Sequence, residues 1–161
     1  MKSPFLLFLT MCFVFISIVI LPNNENHLLK YDFESKNVSY CFYTDKFSAK
    51  TSDTYTIKSG VYDIVCCEYA NADFVKKEIG DCLFGESLCV KNATKTDIKS
   101  TKKIAKNSQK ICEFVGDTEI YYCYNVKFSK FVMVNDKKIN FQIAISKDRI
   151  TIGYPIILGE Y

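Results

Sequence analysis

Cysteine is the residue type in this chain with the widest chemical repertoire. Eight cysteines occur, and one of them lies inside an apolar N-terminal run, so seven belong to the rest of the chain. If a two-residue turn at Gly116-Asp117 joins two strands, Cys112 and Cys123 share one face as opposed or diagonal neighbours. These two cysteines are therefore a candidate disulfide pair. A second candidate disulfide, between Cys82 and Cys89, would join a helix to the strand after it.

The same cysteines have a second interpretation as small buried hydrophobes, because seven cannot pair completely within one monomer. Cys66 and Cys67 are adjacent on a predicted strand, so their side chains point to opposite faces and do not form a redox pair. No C-x2-C pair occurs, and the single histidine, His27, lies just past the apolar run. We predict no metal site.

Residues for acid–base or nucleophilic catalysis form no recognisable motif. Serine nucleophile motifs and glycine-rich phosphate loops are absent, and carboxylates such as Asp117 and Glu119 fall at turns or on exposed faces. We predict no catalytic residue and no cofactor. The remaining enzyme hypothesis is a thiol-active enzyme, which would need a cysteine with a low pKa.

Lysines are concentrated in residues 91–110, which hold seven lysines and a single acid, Asp97. On a helix, four of them share one side, away from Ile98 and Ala105: Lys95, Lys99, Lys102 and Lys106. Outside a cell such a stripe can contact anionic lipid or an anionic wall polymer, and the alternative is a solvated face that keeps the helix soluble. The formal charge of +3 and a single arginine, Arg149, argue against a nucleic-acid partner.

The elements that position these residues begin with an export signal. Residues 5–21 contain no charge and follow Lys2, as in a signal peptide or a signal-anchor. Seventeen residues is the short limit for crossing a bilayer, and no small-residue cleavage site ends the run. We predict a signal peptide or signal-anchor at 1–22, a linker at 23–30 and one domain at 31–161. The protein is then either membrane-anchored with an extracytoplasmic domain or secreted.

Hydrophobic periodicity predicts mixed secondary structure within the domain. Residues 37–43 alternate as a strand, and 55–66 form a hairpin in which Tyr55 opposes Ile64. Three- and four-residue spacing predicts a helix over 72–83, stopped by Gly85, and a second helix over 95–107. A short strand lies between the helices, and all segments after residue 110 are predicted to be strands.

The C-terminal residues predict a three-stranded antiparallel meander. Val134 is expected to oppose Ile139, and after a Lys147-Asp148 turn Ile145 opposes Ile150. One face then carries Val132, Val134, Ile139, Phe141, Ile143, Ile145, Ile150, Ile152 and Tyr154, and the other, wet face carries Lys138, Asn140, Gln142, Ser146 and Thr151. Residues 156–158 are too apolar for solvent and are expected to tuck under the domain. The predicted fold class is α+β, with an antiparallel sheet and two helices packed on one of its faces.

The ending KKINFQIAISKDRITIGYPIILGEY resembles the C-terminal end of the YwmB-like proteins of Firmicutes, which have a TATA-box-binding-protein-like fold. The resemblance covers about the last 30 residues and includes Asn140, Gly153 and Pro155 together with the final Glu160-Tyr161. It implies that the sheet is curved and backed by helices. The N-terminal hydrophobic helix that precedes the domain is predicted from residues 5–21 themselves. The resemblance also implies an exported or membrane-anchored protein of spore-forming bacteria, and it transfers no catalytic residues.

These observations lead to one functional hypothesis and one alternative. The first is a non-catalytic envelope protein, associated with sporulation or the cell wall, that contacts the membrane through residues 5–21. Its further partner would be an anionic wall polymer or another envelope protein. The alternative is a secreted interaction module stapled by disulfides.

Overall fold

The structure is a computed structural model that describes residues 32–45, 54–58, 62–80 and 83–158. The apolar run 5–21 and the linker 23–30, where a signal peptide or hydrophobic helix is predicted, lie outside the described residues. Cys82 also lies outside them. The described part therefore bears on the predicted α+β domain.

Two α-helices and ten strands make up the described part of the chain. Helix α1 is Ala72–Ile79, preceded by a 3-10 turn at Tyr69–Asn71, and helix α2 is Lys95–Ser108. The strands are β1 (Val38–Thr44), β2 (Thr54–Lys58), β3 (Asp63–Glu68), β4 (Leu83–Lys91), β5 (Gln109–Val115), β6 (Thr118–Cys123), β7 (Val132–Val134), β8 (Lys137–Ile139), β9 (Phe141–Ile145) and β10 (Arg149–Tyr154).

Eight strands form one antiparallel sheet in the order β2-β3-β1-β4-β10-β9-β6-β5, and β7 and β8 form a separate two-stranded sheet. The central pairing joins β4 to β10, so the two halves of the chain meet in the middle of the sheet. Strands β2 and β5 are its edges. The predicted α+β class, with two helices and an antiparallel sheet, is confirmed.

One face of the large sheet carries the main hydrophobic core. Alternate residues of the strands point to this face, as the period of two requires, and helix residues Val75, Ile79 and Ala105 belong to the same cluster. The large side chains that the sheet contributes to this core include Tyr40, Phe42, Leu88, Tyr121, Phe141, Ile143, Ile150, Ile152 and Tyr154. Both helices therefore cover the same side of the sheet.

The opposite face is covered in part by the end of the chain itself. Beyond β10 the chain turns back, so that the amide of Ile157 donates to Gln142 Oε1 at 2.9 Å and its side chain packs on Ile120 and Ala144. A Cβ at Gly153 would lie 2.5 Å from the Ile157 nitrogen, so only glycine permits this approach. The expectation that the apolar ending tucks under the domain is confirmed.

This covering corrects the predicted wet face of the C-terminal meander. Gln142 and Thr151 are only 1% and 4% exposed, although the alternation of the sequence places them opposite the main core. Gln142 is accommodated because its side-chain oxygen accepts the Ile157 amide. A sheet that is buried on both faces can therefore keep alternating polar residues. Here the backbone of the segment that covers the second face forms a hydrogen bond with one of them.

Part of the predicted register of the meander is confirmed. Ile145 opposes Ile150 and Ile143 opposes Ile152. At the turn the Ser146 amide donates to the Arg149 carbonyl oxygen at 3.0 Å. These pairs follow from strict alternation on both sides of a short turn.

The preceding hairpin differs from the prediction. Ile139 opposes Val132, not Val134, because Asn135 and Asp136 both have positive φ and close a two-residue turn. The strand then breaks at Asn140, whose side chain is buried. Its Nδ2 donates to the carbonyl oxygens of Asn125 and Phe128, and its Oδ1 accepts from the backbone amide of Asn125. Val132 and Val134 consequently lie in the small sheet, outside the main core.

Upstream of the meander, the end of the first helix, the start of the next strand and the register of one hairpin differ from the predictions. Helix α1 ends at Ile79, since Gly80 takes a φ of 57°, so the predicted extension to residue 83 is wrong and Leu83 begins β4. Gly85 is inside β4, where a Cβ would meet the Tyr154 carbonyl oxygen at 2.6 Å. In the β2–β3 hairpin Tyr55 opposes Cys66, two residues from the predicted register.

Candidate functional site

The lysines of α2 form an exposed basic surface whose position follows from what the helix buries. Asp97, Thr101 and Ala105 are buried and define the side of α2 that faces the sheet. Successive residues turn by about 100°, so residues on the far side point to solvent. The exposed lysines of that side are Lys95, Lys99, Lys103 and Lys106, which we call the lysine face.

One predicted member of this surface is placed differently. Lys102 is half-buried, with a side chain 34% exposed, and forms an ion pair with Glu119 of β6. Glu119 also accepts a hydrogen bond from the Tyr121 hydroxyl. The Lys102 and Tyr121 hydrogen bonds hold the pKa of the Glu119 carboxyl below its usual value, although burial acts against them. Lys102 therefore fastens α2 to the sheet, and Lys103 replaces it on the exposed side.

The first turn of α2 is fixed by a capping box. The Thr94 hydroxyl accepts from the Asp97 amide at 3.1 Å, and Asp97 Oδ2 accepts from the Thr94 amide at 3.0 Å. The same carboxylate accepts the amides of Glu34, at 2.8 Å, and Ser35, at 3.2 Å. The N-terminal end of the described chain is thereby bound to the N-terminus of α2.

The Asp97 carboxylate is charged despite being buried. Burial alone would raise the pKa of this carboxyl, but hydrogen bonds from Thr94, Glu34 and Ser35 outweigh the burial and lower it. The spacing of Thr94 and Asp97 in the sequence is a capping signal, but no local signal indicates that residues 34 and 35 bind the same carboxylate.

A groove of about 800 Å³ follows the lysine face. Its described lining comes from α2 and includes Ile98 beside the lysine side chains. Long lysine side chains offer apolar stems below their charged tips, so this surface can meet a partner that is itself amphipathic. Electrostatically, this surface can concentrate anions.

A second charged cluster lies under α1 and is structural. Lys76 Nζ lies 2.6 Å from Glu86 Oε2, and the Glu86 side chain is completely buried on the core side of β4. Burial and the neighbouring Glu86 raise the pKa of the Tyr40 hydroxyl far above its usual value. Glu86, Leu88 and Val90 alternate along β4 and so lie on the same face of the strand. An acid among apolar residues on that face is the sequence feature that could have indicated a buried charge pair.

The structure contains a disulfide that sequence spacing does not indicate. Cys41 of β1 and Cys66 of β3 are directly opposed and bonded, with a Cα–Cα distance of 4.2 Å. Cys66 points to the sheet face opposite the main core, whereas Cys67 is buried within that core. The prediction that these adjacent cysteines point to opposite faces is confirmed.

The predicted Cys112–Cys123 disulfide is absent from the described structure, in which both thiols are free. Cys112 opposes Tyr121, so it is a diagonal neighbour of Cys123 on the same face. Diagonal residues lie about 7 Å or more apart, beyond the usual Cα separation of a disulfide. For the other predicted pair, Cys89 has a free thiol and Cys82 lies outside the described residues.

The free thiols do not resemble nucleophiles. Burial raises the pKa of Cys67 and of Cys123 to about 11, and burial together with Glu119 raises the pKa of Cys112. A reactive cysteine needs a lowered pKa. Among the described residues no cluster of three or more histidine, cysteine or acidic side chains is placed to hold a metal ion.

Comparison with known proteins gives no family for this chain. No protein-family model matches it, and no curated protein matches its sequence. Within the residues that the structure describes, no helix has both the length and the apolar character needed to cross a membrane.

Proposed function

We propose that this chain is a non-catalytic envelope protein that residues 5–21 hold at a cell membrane, with its α+β domain displayed outside the cytoplasm. The apolar, uncharged run behind Lys2 supports export, and residues 23–30 serve as the linker. Its biological role is binding at the envelope, in sporulation or wall biology.

The observation that carries this proposal is the Cys41–Cys66 disulfide. It joins directly opposed residues of β1 and β3, two neighbouring strands of the large sheet. Disulfides persist in oxidising compartments and are rare in the cytoplasm, where thiols are kept reduced. A structural disulfide in a domain that follows an export-type sequence supports placement of that domain outside the cytoplasm.

A non-catalytic role is supported by what the buried ionisable groups contact. Asp97 caps a helix and binds the incoming chain, and Glu86 pairs with Lys76 beneath α1. Each of these carboxylates is therefore occupied by a structural partner. The raised pKa values of Cys67, Cys112 and Cys123 argue against the thiol-enzyme hypothesis.

The resemblance of the C-terminal segment to the YwmB-like proteins gives the proposal its finer features. They are a curved sheet and an origin in the envelope of a spore-forming bacterium. The segments Phe141–Ile145 and Arg149–Tyr154, which contribute to the resemblance, are adjacent strands of the large sheet.

The test combines a thiol count with cell fractionation. Full-length chain is isolated from its host without reductant, and free thiols are counted under denaturing conditions before and after reduction. The proposal expects that reduction exposes Cys41 and Cys66 and that the chain sediments with membranes. A chain that is fully reduced as isolated and recovered in the cytosol would refute it.

The alternative function, a secreted disulfide-stapled module, draws support from the same Cys41–Cys66 bond. It differs from the proposal in its attachment to the membrane. Recovery of an oxidised chain lacking residues 1–22 in the medium would favour this alternative, whereas an oxidised, full-length chain in the membrane fraction favours the anchored protein.

A further inference from the structure

We propose that the lysine face of α2 lies on the anionic phospholipid headgroups of the same bilayer that holds residues 5–21. The domain is then docked in one orientation and does not move freely on its linker. This inference rests on the proposed function, because it requires the chain to be held at a membrane.

The first described residues of the chain are bound to α2, which limits how far α2 can lie from residues 5–21. The amides of Glu34 and Ser35 bind the Asp97 carboxylate, and the Thr94 hydroxyl donates to Glu34 Oε2 at 2.9 Å. The chain coming from the apolar run is therefore fixed to the first turn of α2. Residues 22–33 span about 40 Å when fully extended. As a flexible chain they span roughly 20 Å, which is also about the length of a 14-residue helix.

The exposed lysines of α2 form no ion pair within the described residues, although Lys106 contributes to the electrostatic field at Glu119. Asp97 is the acid within the helix, and it is buried and turned to the sheet. Lys102 is compensated by Glu119. In the part of the chain that the structure describes, no ion pair joins Lys95, Lys99 or Lys106 to a carboxylate, and the same holds for Lys103. Four positive charges that belong to no ion pair thus lie along about 16 Å of helix.

These features favour a lipid surface over other anionic partners. A linker of this length keeps α2 near the headgroups at a high effective concentration, whereas a wall polymer must be met away from the bilayer. Lysine acts as a point charge and suits a laterally mobile layer of phosphates, because it requires no fixed bidentate geometry. Lysines next to an anionic leaflet are attracted within about one Debye length of it.

Docking through this face determines what the rest of the domain presents. The helices cover the core side of the sheet, so a membrane-facing α2 turns the other face of the sheet away from the bilayer. That distal face carries the returned segment around Ile157, and the exposed Tyr55 and Ile57 of edge strand β2 point in the same direction. The domain would therefore offer this distal side to other envelope components.

The experiment measures lysine acetylation of full-length chain inserted into lipid nanodiscs. Discs contain either phosphatidylcholine alone or phosphatidylcholine with about 30% phosphatidylglycerol, an anionic lipid that attracts basic segments. A brief pulse of an acetylating reagent is followed by mass spectrometry of each lysine. We expect Lys95, Lys99, Lys103 and Lys106 to react about fivefold more slowly on the anionic discs. Lys58 of β2, Lys138 of β8 and Lys127 of the loop before β7 lie away from α2 and react equally on both.

Charge-matched variants sharpen the result, with Lys95 as the reporter. K99Q/K103Q/K106Q removes three charges from the lysine face, and we expect Lys95 to lose its protection on anionic discs. K58Q/K127Q/K138Q removes three charges elsewhere, and Lys95 stays protected. About 0.5 M sodium chloride, at which the Debye length is only about 4 Å, should abolish protection in the wild type.

Three results would overturn the inference. They are equal acetylation of the lysine face on both kinds of disc, uniform protection of all lysines, and protection only when free polyglycerol phosphate is added to neutral discs. In each of these cases the chain is retained by the discs, so the proposed membrane attachment survives. A wild-type chain that does not associate with discs of either composition would instead contradict the proposed function itself.

Discussion

Helices α1 and α2 cover the same side of one sheet, yet they use their lysines differently. In α1, Lys76 is directed inward to the completely buried Glu86. In α2, one lysine reaches the half-exposed Glu119, and four others extend into solvent. The difference shows that lysine content alone does not identify a binding surface. An acid on the neighbouring strand decides whether a lysine is structural or free to meet a partner.

The largest expected effect comes from breaking the charge pair under α1. Lys76→Met leaves the buried Glu86 without its cation, which should cost about 3 kcal/mol of unfolding free energy and lower the melting temperature by roughly 10 °C. The measurement is thermal unfolding of full-length chain in mild detergent. The matched control is Lys77→Met, since Lys77 is the exposed neighbour on the same helix. Equal melting temperatures for the two variants would show that the Lys76–Glu86 pair does not stabilise the domain.

The second effect concerns the first turn of α2. Asp97→Ala leaves the amides of Thr94, Glu34 and Ser35 without their shared acceptor, and we expect a loss of about 2 kcal/mol. Asp73→Ala, at an exposed first-turn acid of α1, is the control and should change stability far less. Hydrogen exchange at the amides of residues 34 and 35 provides a local measurement. Unchanged protection there would argue against the Asp97 contacts.

The same carboxylate predicts a pH dependence. Because its pKa is lowered by folding, the stabilisation from Asp97 is complete above the unfolded value of about 3.9 and is lost as pH falls through the folded pKa. Glu119 acts in the same direction. In unfolding curves recorded from neutral to acidic pH, Asp97→Asn should flatten the acidic decline. A decline as steep as in wild type would mean that other carboxyls account for it.

A smaller effect is expected for Lys102, whose pair with Glu119 is partly exposed. Lys102→Met should destabilise the domain by about 0.5 kcal/mol, because water screens the pair. The control is Lys103→Met, because Lys103 is exposed and does not pair with Glu119. This substitution should leave the free energy of unfolding unchanged within error. Double-mutant cycles with Glu119→Gln measure the coupling directly, and a coupling for Lys103 as large as that for Lys102 would contradict their assigned roles.

The sequence predicts those features that depend on local repetition. Helical spacing locates α2 and the side on which its lysines lie, and strict alternation predicts the pairing of Ile145 with Ile150. It also places the side chains of Cys66 and Cys67 on opposite faces of the sheet. In each case, neighbours in the chain are neighbours in space.

Contacts between segments that are distant in the sequence cannot be predicted from such local patterns. The Cys41–Cys66 bond depends on the register of β1 against β3, which no short turn determines. Lys102 is indistinguishable from Lys103 until β6 brings Glu119 beside it. In the sequence, Asn140 fits the alternation of its neighbours and gives no sign of a strand break. The strand stops there because the Asn140 side chain donates to the carbonyl oxygens of residues 125 and 128, which are distant in the sequence.

The most direct test of the account uses the exposed thiol of Cys112 in intact cells. A membrane-impermeant maleimide is added to cells that express the full chain, with lysed cells as the reference for complete labelling. Display of the domain outside the cytoplasm predicts that Cys112 is labelled as fully in intact cells as in lysed cells, while Cys41 and Cys66 are labelled only after reduction. Labelling of Cys112 only after lysis, with Cys41 and Cys66 already free, would contradict it.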